Sequence, residues 1–221
     1  GLWYYETLLP GVTLTLTDSF FQLPPDESLK VLDIIGYIKN GGIGNVAIEA
    51  LGSGCEGYVS RIGQLAIKVF TDRVFSIASL IARYEDMSLL RNALAKTPIS
   101  NIAEVVPAYA IIGDNSGKTN AFVIMPAIEG GINIFDLEDY LEGSRIGGKA
   151  ETIRDQFPFL NLSDIETIRE QFSQLFRVMG GIYSAIGPRW FTELYYGNVL
   201  VTNELNRPPE EQFQLHVIDL K

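Results

Sequence analysis

The chain has 221 residues, enough for one or two domains and a sizeable buried core. With 47% hydrophobic and 20% charged residues it has the balance of a globular protein, and its formal net charge of −10 argues against nucleic acid or an anionic membrane surface as main partner. A single cysteine, Cys55, and a single histidine, His216, exclude an internal disulfide and zinc sites of the Cys/His type. No apolar run approaches the roughly 18 residues of a membrane span. No basic stretch precedes an apolar one near the start, so no signal peptide is expected and a cytoplasmic setting is the default.

In chain order, Val12 to Thr17 alternates with period two and predicts a strand. Pro24-Pro25 punctuates it. Asp26 then caps a helix with Leu29, Val31, Leu32, Ile35 and Ile38 that ends at Asn40-Gly41-Gly42. Between Leu51 and Phe70 the sequence predicts strand, tight loop, strand, sharp turn at Gly63, and a third strand carrying Lys68. Gly52, Gly54 and Gly57 stand at G-x-G-x-x-G spacing, with Val59 two positions on. Without a Cβ, such glycines let backbone N–H groups approach phosphate oxygens, and a lysine on the next strand can add a point charge there. From Asp72 to about Leu94 the apolar residues Ile77, Leu80, Ile81, Tyr84, Met87 and Leu94 recur at helical spacing. On a helical wheel Glu85 falls at the flank of this stripe and Asp86 opposite it. Val105 to Ile112 and Ala121 to Met125 read as a hairpin with a polar turn. Ile134 to Glu142 reads as a helix. Ser163-Asp-Ile-Glu166 has the capping-box pattern and opens a helix with Ile165, Ile168, Phe172, Leu175, Phe176, Met179 and Tyr183 on one side.

These pieces, in this order, resemble the protein kinase family. The glycine run followed by Leu-Ala-Ile-Lys68 resembles its nucleotide-binding lobe. The helix after it stands where a kinase places the glutamate that pairs with the strand lysine. Glu85 is the longer candidate for that role, although Leu89 and Leu90 would fit Asp86, and both can also be solvated surface charges. Met125-Pro-Ala-Ile-Glu-Gly-Gly131 resembles the adenine-binding hinge, with Met125 at the gatekeeper position and donation to adenine falling to Ile128, because Pro126 has no N–H. The stretch from Phe191 to Thr202 resembles the catalytic loop. Asn198 and Val199-Leu200-Val201 match in type and order, Glu193 stands at the catalytic aspartate, Phe191 at the histidine and Tyr195 at the usual lysine. Asp219 matches the metal-binding aspartate of D-F-G, with Leu220 and Lys221 after it.

The resemblance implies an α+β, two-lobed protein-kinase-like fold with a reduced, mainly helical C-lobe. Residues 1–45 are then an extension packing on the small lobe, 46–125 the N-lobe, and 126–221 the hinge and C-lobe. It implies an ATP- and Mg²⁺-dependent kinase that transfers a γ-phosphoryl group to a hydroxyl, first of all on a protein. Lys68, Glu85, Glu193, Asn198 and Asp219 are its catalytic set, and Asn198 and Asp219 hold the metal. Gly52, Gly54, Gly57, Val59, Ala66, Lys68, Met125 and Ile128 hold the nucleotide. Asn and Asp oxygens are the donors that a hard cation such as Mg²⁺ takes. The implied partners are a protein substrate or an activating partner protein, with no nucleic acid. Phe191, Glu193, Tyr195 and Lys221 depart from the family pattern, and the sequence stops just after Asp219, as a fragment of a longer protein or a pared-down kinase would. These departures favour a pseudokinase that binds a nucleotide or a partner as a regulatory module. A kinase-fold enzyme acting on a small molecule, and a kinase completed by a partner protein, are the remaining alternatives.

Overall fold

The period-two runs become strands and the 3.6-period runs become helices in the computed structural model, which describes residues 3–9, 11–40, 49–54, 56–71, 76–114, 121–187, 194 and 196–218. In chain order the elements are β1 (Tyr4–Leu9), β2 (Val12–Leu16), α1 (Asp18–Phe21), α2 (Pro25–Lys39), β3 (Glu49–Gly54), β4 (Gly57–Ile62), β5 (Leu65–Phe70), α3 (Ile77–Leu94), β6 (Ala103–Val105), β7 (Ala110–Asp114) and β8 (Ala121–Pro126). They continue with β9 (Ile132–Asn133), α4 (Ile134–Leu141), α5 (Lys149–Gln156), α6 (Leu162–Ile186), β10 (Val199–Asn203) and β11 (Phe213–Val217). The fold is α+β, and it divides into two units. Unit 1 is Gly1–Glu85 with Pro107–Ala127; unit 2 is Asp86–Val106 with Ile128–Lys221.

Unit 1 is built on a seven-stranded sheet of order β1-β2-β7-β8-β5-β4-β3, antiparallel at every pairing. The first strands are part of this sheet, because β2 pairs with β7 from Val12↔Asp114 to Leu16↔Ala110. One face of the sheet is closed by α2, whose Val31, Ile34 and Ile35 are buried with Leu14, Leu16, Ile67, Val69, Ile112 and Ile124. Each such side chain contributes about 1.5–3 kcal/mol by leaving water. Helix α2 starts one residue before the expected cap. Pro25 takes the first helical position, where a missing N–H costs nothing, and Asp26 sits in the first turn. Leu29 and Leu32 of the expected apolar stripe are exposed, whereas Ile34, absent from it, is buried. The hairpin expected from Val105 to Met125 is split. β7 and β8 pair as expected, but Val105 belongs to β6 in the other sheet, and Pro107, with no N–H to donate, interrupts the run.

Unit 2 carries a four-stranded sheet of order β6-β11-β10-β9. The β6–β11 pairing is parallel and the other two are antiparallel. Its longest helix, α6, begins earlier than the sequence pattern suggests. Asn161 is the N-cap: its side chain accepts from Asp164 N–H at 3.0 Å, and Asp164 accepts from Asn161 N–H at 3.1 Å, a reciprocal pair that satisfies two otherwise orphaned donors. The helix ends at Gly187 in the left-handed conformation, φ 56°. Ile165, Ile168, Phe172, Leu175 and Met179 are buried as expected, but Phe176 is 56% exposed. No helix among the described residues is long and apolar enough to cross a membrane.

Candidate functional site

Strand alternation sorts the residues of β5. Leu65, Ile67 and Val69 belong to the core beneath α2, so Ala66 and Lys68 project from the opposite face. Directly paired residues of neighbouring strands share a face. The registers Val59↔Lys68 and Ala66↔Met125 therefore bring Val59, Ala66, Lys68 and Met125 onto that same side. Four of the residues expected at a nucleotide thus lie together. The glycines are held in the adjoining hairpin, with Gly52↔Val59 and Gly54↔Gly57 in register. Gly57 has φ 154°, and a Cβ there would stand 1.8 Å from the Val69 carbonyl oxygen, so the close approach of β4 to β5 requires glycine.

At the turn of this hairpin lies a residue to which the sequence reading gave no role. Glu56, between Gly54 and Gly57, accepts from Lys68 Nζ at 3.2 Å and from Arg83 Nη1 at 3.3 Å. The Lys68, Glu56 and Arg83 side chains are 11%, 13% and 4% exposed, so these charges meet largely away from water. The Phe70 ring adds its negative face, 4.7 Å from Lys68 Nζ and 5.8 Å from Arg83 Cζ. The signal for Arg83 was a charge interrupting the apolar helical stripe. For Glu56 it was a carboxylate inside the glycine motif.

The two candidate carboxylates of α3 differ in place. Glu85 Oε1 accepts from the Tyr5 hydroxyl of β1 at 3.2 Å. Burial and the Glu85 charge together raise the Tyr5 phenol above its ordinary range. Asp86, which the helical wheel set opposite the apolar stripe, is 3% exposed. The wheel fails here because α3 is covered over more than one stripe: Arg83, Tyr84, Asp86 and Met87 are all buried.

The stretch resembling a hinge coincides with the passage of the chain from unit 1 to unit 2, after Ala127. Ala127 N–H donates to the Gln64 carbonyl at 2.9 Å, and the Ile128 carbonyl accepts from Gly131 N–H at 3.2 Å. Gly130 has φ 68°, and a Cβ there would meet the Gln156 carboxamide at 2.7 Å.

In unit 2, Asn198 ends a 3-10 turn, Tyr196–Asn198, directly before β10 and is 4% exposed. The β10–β11 ladder, Val199↔Val217 at its end, continues one step further, with Ile218 N–H donating to the Asn198 carbonyl at 2.9 Å. Asn198 is thereby tied to the residue that precedes Asp219. Phe191, Glu193, Tyr195, Asp219 and Lys221 lie outside the described residues. Among the described residues no group of three or more His, Cys, Asp and Glu could hold a metal. The expected ligand pair, one amide and one carboxylate, is smaller than such a group and suits a hard cation that keeps several waters. No protein-family model matches the sequence, and no curated protein matches it.

Proposed function

We propose that the chain is a protein-kinase-like phosphotransferase that uses ATP and Mg²⁺ to phosphorylate a hydroxyl, most directly on a protein. The observation that carries this reading is the shared sheet face of Val59, Ala66, Lys68 and Met125 beside the glycine hairpin. Val59, Ala66 and Met125 offer an apolar surface to a base. Lys68 offers a cation to the phosphates, and Glu85 is the expected support for that lysine. The hairpin brings backbone N–H groups near the same place. Gly52 and Gly54 belong to that hairpin, and Ile128 supplies an adenine contact from the hinge stretch. Asn198 and Asp219 are the oxygen donors for the metal in this reading, and the backbone of Asn198 accepts from Ile218, the residue before Asp219 in the sequence. Bound Mg²⁺ would neutralise charge on the phosphates. Glu193 accepts the proton of the attacking hydroxyl in this reading. It has one methylene more than the family's aspartate, and misplacement of about 1 Å costs on the order of a hundredfold in rate.

A second reading has its own observation. Glu56 already meets Lys68, as a phosphate oxygen would, and a pseudokinase with a self-occupied lysine has the same arrangement. Thermal unfolding with ATP alone, Mg²⁺ alone and both together separates the two. A ligand at about 100 times its Kd stabilises the native state by about 2.7 kcal/mol. A shift that needs both components, and is lost in Lys68→Ala and Asp219→Asn, is the expected result. A shift with ATP alone favours the pseudokinase. No shift under any condition, or a full shift in Lys68→Ala, overturns the kinase assignment.

A further inference from the structure

Unit 2 has a groove of about 830 Å³ between α6 and the 3-10 turn Pro98–Asn101. All of its lining residues belong to this unit. It contains none of the residues assigned to the nucleotide, the metal or catalysis. Buried Ile99 and Ile102 give it an apolar part. The face of α6 that lines it carries Glu166, Glu170, Gln171 and Arg177, and Glu210 joins them from the turn between β10 and β11. Three carboxylates thus accompany one guanidinium, and Arg177 Nη2 is 3.7 Å from Glu170 Oε1. The lining keeps an excess of negative charge.

Gln171 points to a ligand. It is 7% exposed, and its Oε1 is buried with no hydrogen-bond partner among the described residues. A leucine of similar size would fill the same place without leaving an amide oxygen unsatisfied. Gln171 is itself among the residues that line the groove, and the terminal torsion of glutamine is broad, so the carboxamide has freedom to turn toward a donor.

We propose that this groove docks an arginine side chain of a partner protein. A guanidinium presents N–H donors along its edge for Gln171 and the carboxylates, and apolar faces and a stem for Ile99 and Ile102. The compact, strongly hydrated lysine ammonium matches the apolar part less well. An acidic segment is repelled by Glu166, Glu170 and Glu210.

The test titrates a blocked peptide, one arginine flanked by glycine and serine, into the isotope-labelled full chain and follows amide chemical shifts. Lysine and citrulline versions serve as controls, since citrulline keeps the shape and removes the charge. The expected result is shifts centred on residues 98–102 and 163–178. The arginine peptide should bind about tenfold more tightly than citrulline, a difference of about 1.4 kcal/mol. Gln171→Leu, which should fold at least as stably as wild type, and the double variant Glu166→Gln, Glu170→Gln should each weaken binding severalfold. Equal binding of arginine and citrulline, shifts centred elsewhere, or no shifts at millimolar peptide overturn the proposal. So does a stabilised Gln171→Leu that binds the peptide as wild type does, because Gln171 would then hold only water.

Discussion

At the scale of single residues, the charge cluster Lys68–Glu56–Arg83 governs what the glycine hairpin can do. Removing one partner of a buried ion pair costs up to about 3–5 kcal/mol, the full amount applying where the other charge is left with no compensation. Glu56→Gln keeps the volume and removes the charge. It should lower stability to urea by about 2–4 kcal/mol, the smaller end reflecting residual solvent at Lys68 and Glu56. In the kinase reading the same variant gains more from ATP than wild type does, because one carboxylate fewer competes with the phosphate for Lys68. An unchanged nucleotide increment in Glu56→Gln would remove Glu56 from the phosphate site. Gly57→Ala is a different kind of lesion: the new Cβ strikes a backbone carbonyl of β5, which the sheet holds in place. A loss of at least about 2 kcal/mol is expected in the same urea measurement. The glycines were legible in the sequence because only spacing was needed. The role of Glu56 was not, since it depends on a hairpin turn and a strand register that put residue 56 beside residue 68.

At the scale of elements, boundaries and faces were where the sequence misled. The Ser163-x-x-Glu166 pattern has the right chemistry, but Asn161 and Asp164 use the same chemistry two residues earlier and win the helix start. Asn161→Ala should therefore cost about 1 kcal/mol in a thermal melt, and Ser163→Ala much less. Phe176 shows the limit of periodicity: it fits the apolar stripe of α6 yet is exposed, because a stripe tells which way a face could turn and not what covers it. The small sheet has an element-level linkage of its own. His216 on β11 meets Thr202 Oγ1 of β10 through Nε2 at 2.7 Å and Glu104 Oε1 of β6 through Nδ1 at 2.8 Å. The hydrogen bond to His216 holds the Glu104 carboxyl below the ordinary carboxylate range; Arg91 and Arg207 act in the same direction, and burial opposes them. A depressed folded pKa stabilises above the unfolded value and loses that contribution as pH falls through the folded value. Wild type should thus exceed Glu104→Gln in stability at neutral pH, and the gap should close as the solution is acidified below the carboxylate range. A gap that stays constant with pH would show that Glu104 acts by packing alone.

For the whole molecule, the order of elements was legible: glycine hairpin, lysine strand, long helix, paired strands, mainly helical remainder. Each of these rests on local periodicity and turn residues. The joining of β1 and β2 to the seven-stranded sheet was not legible, because pairing between residues about a hundred positions apart leaves no local mark. That pairing makes the first forty residues structural. A chain beginning at residue 41 loses α2 and bares Leu65, Ile67, Val69 and Ile124, and should bind a hydrophobic dye and aggregate where the full chain does not. The parallel pairing of β6 with β11 has a consequence in time. Unit 1 has all its strands once residue 126 is synthesised, but β6 waits for a partner 112 residues further on, as the Glu104–His216 contact measures. At ribosomal speed the residues from 126 to 217 take roughly 5 to 20 s. During that interval the nascent chain carries a complete first sheet and a second one still lacking an inner strand, so arrested chains ending before residue 213 should resist protease in one unit and not in the other.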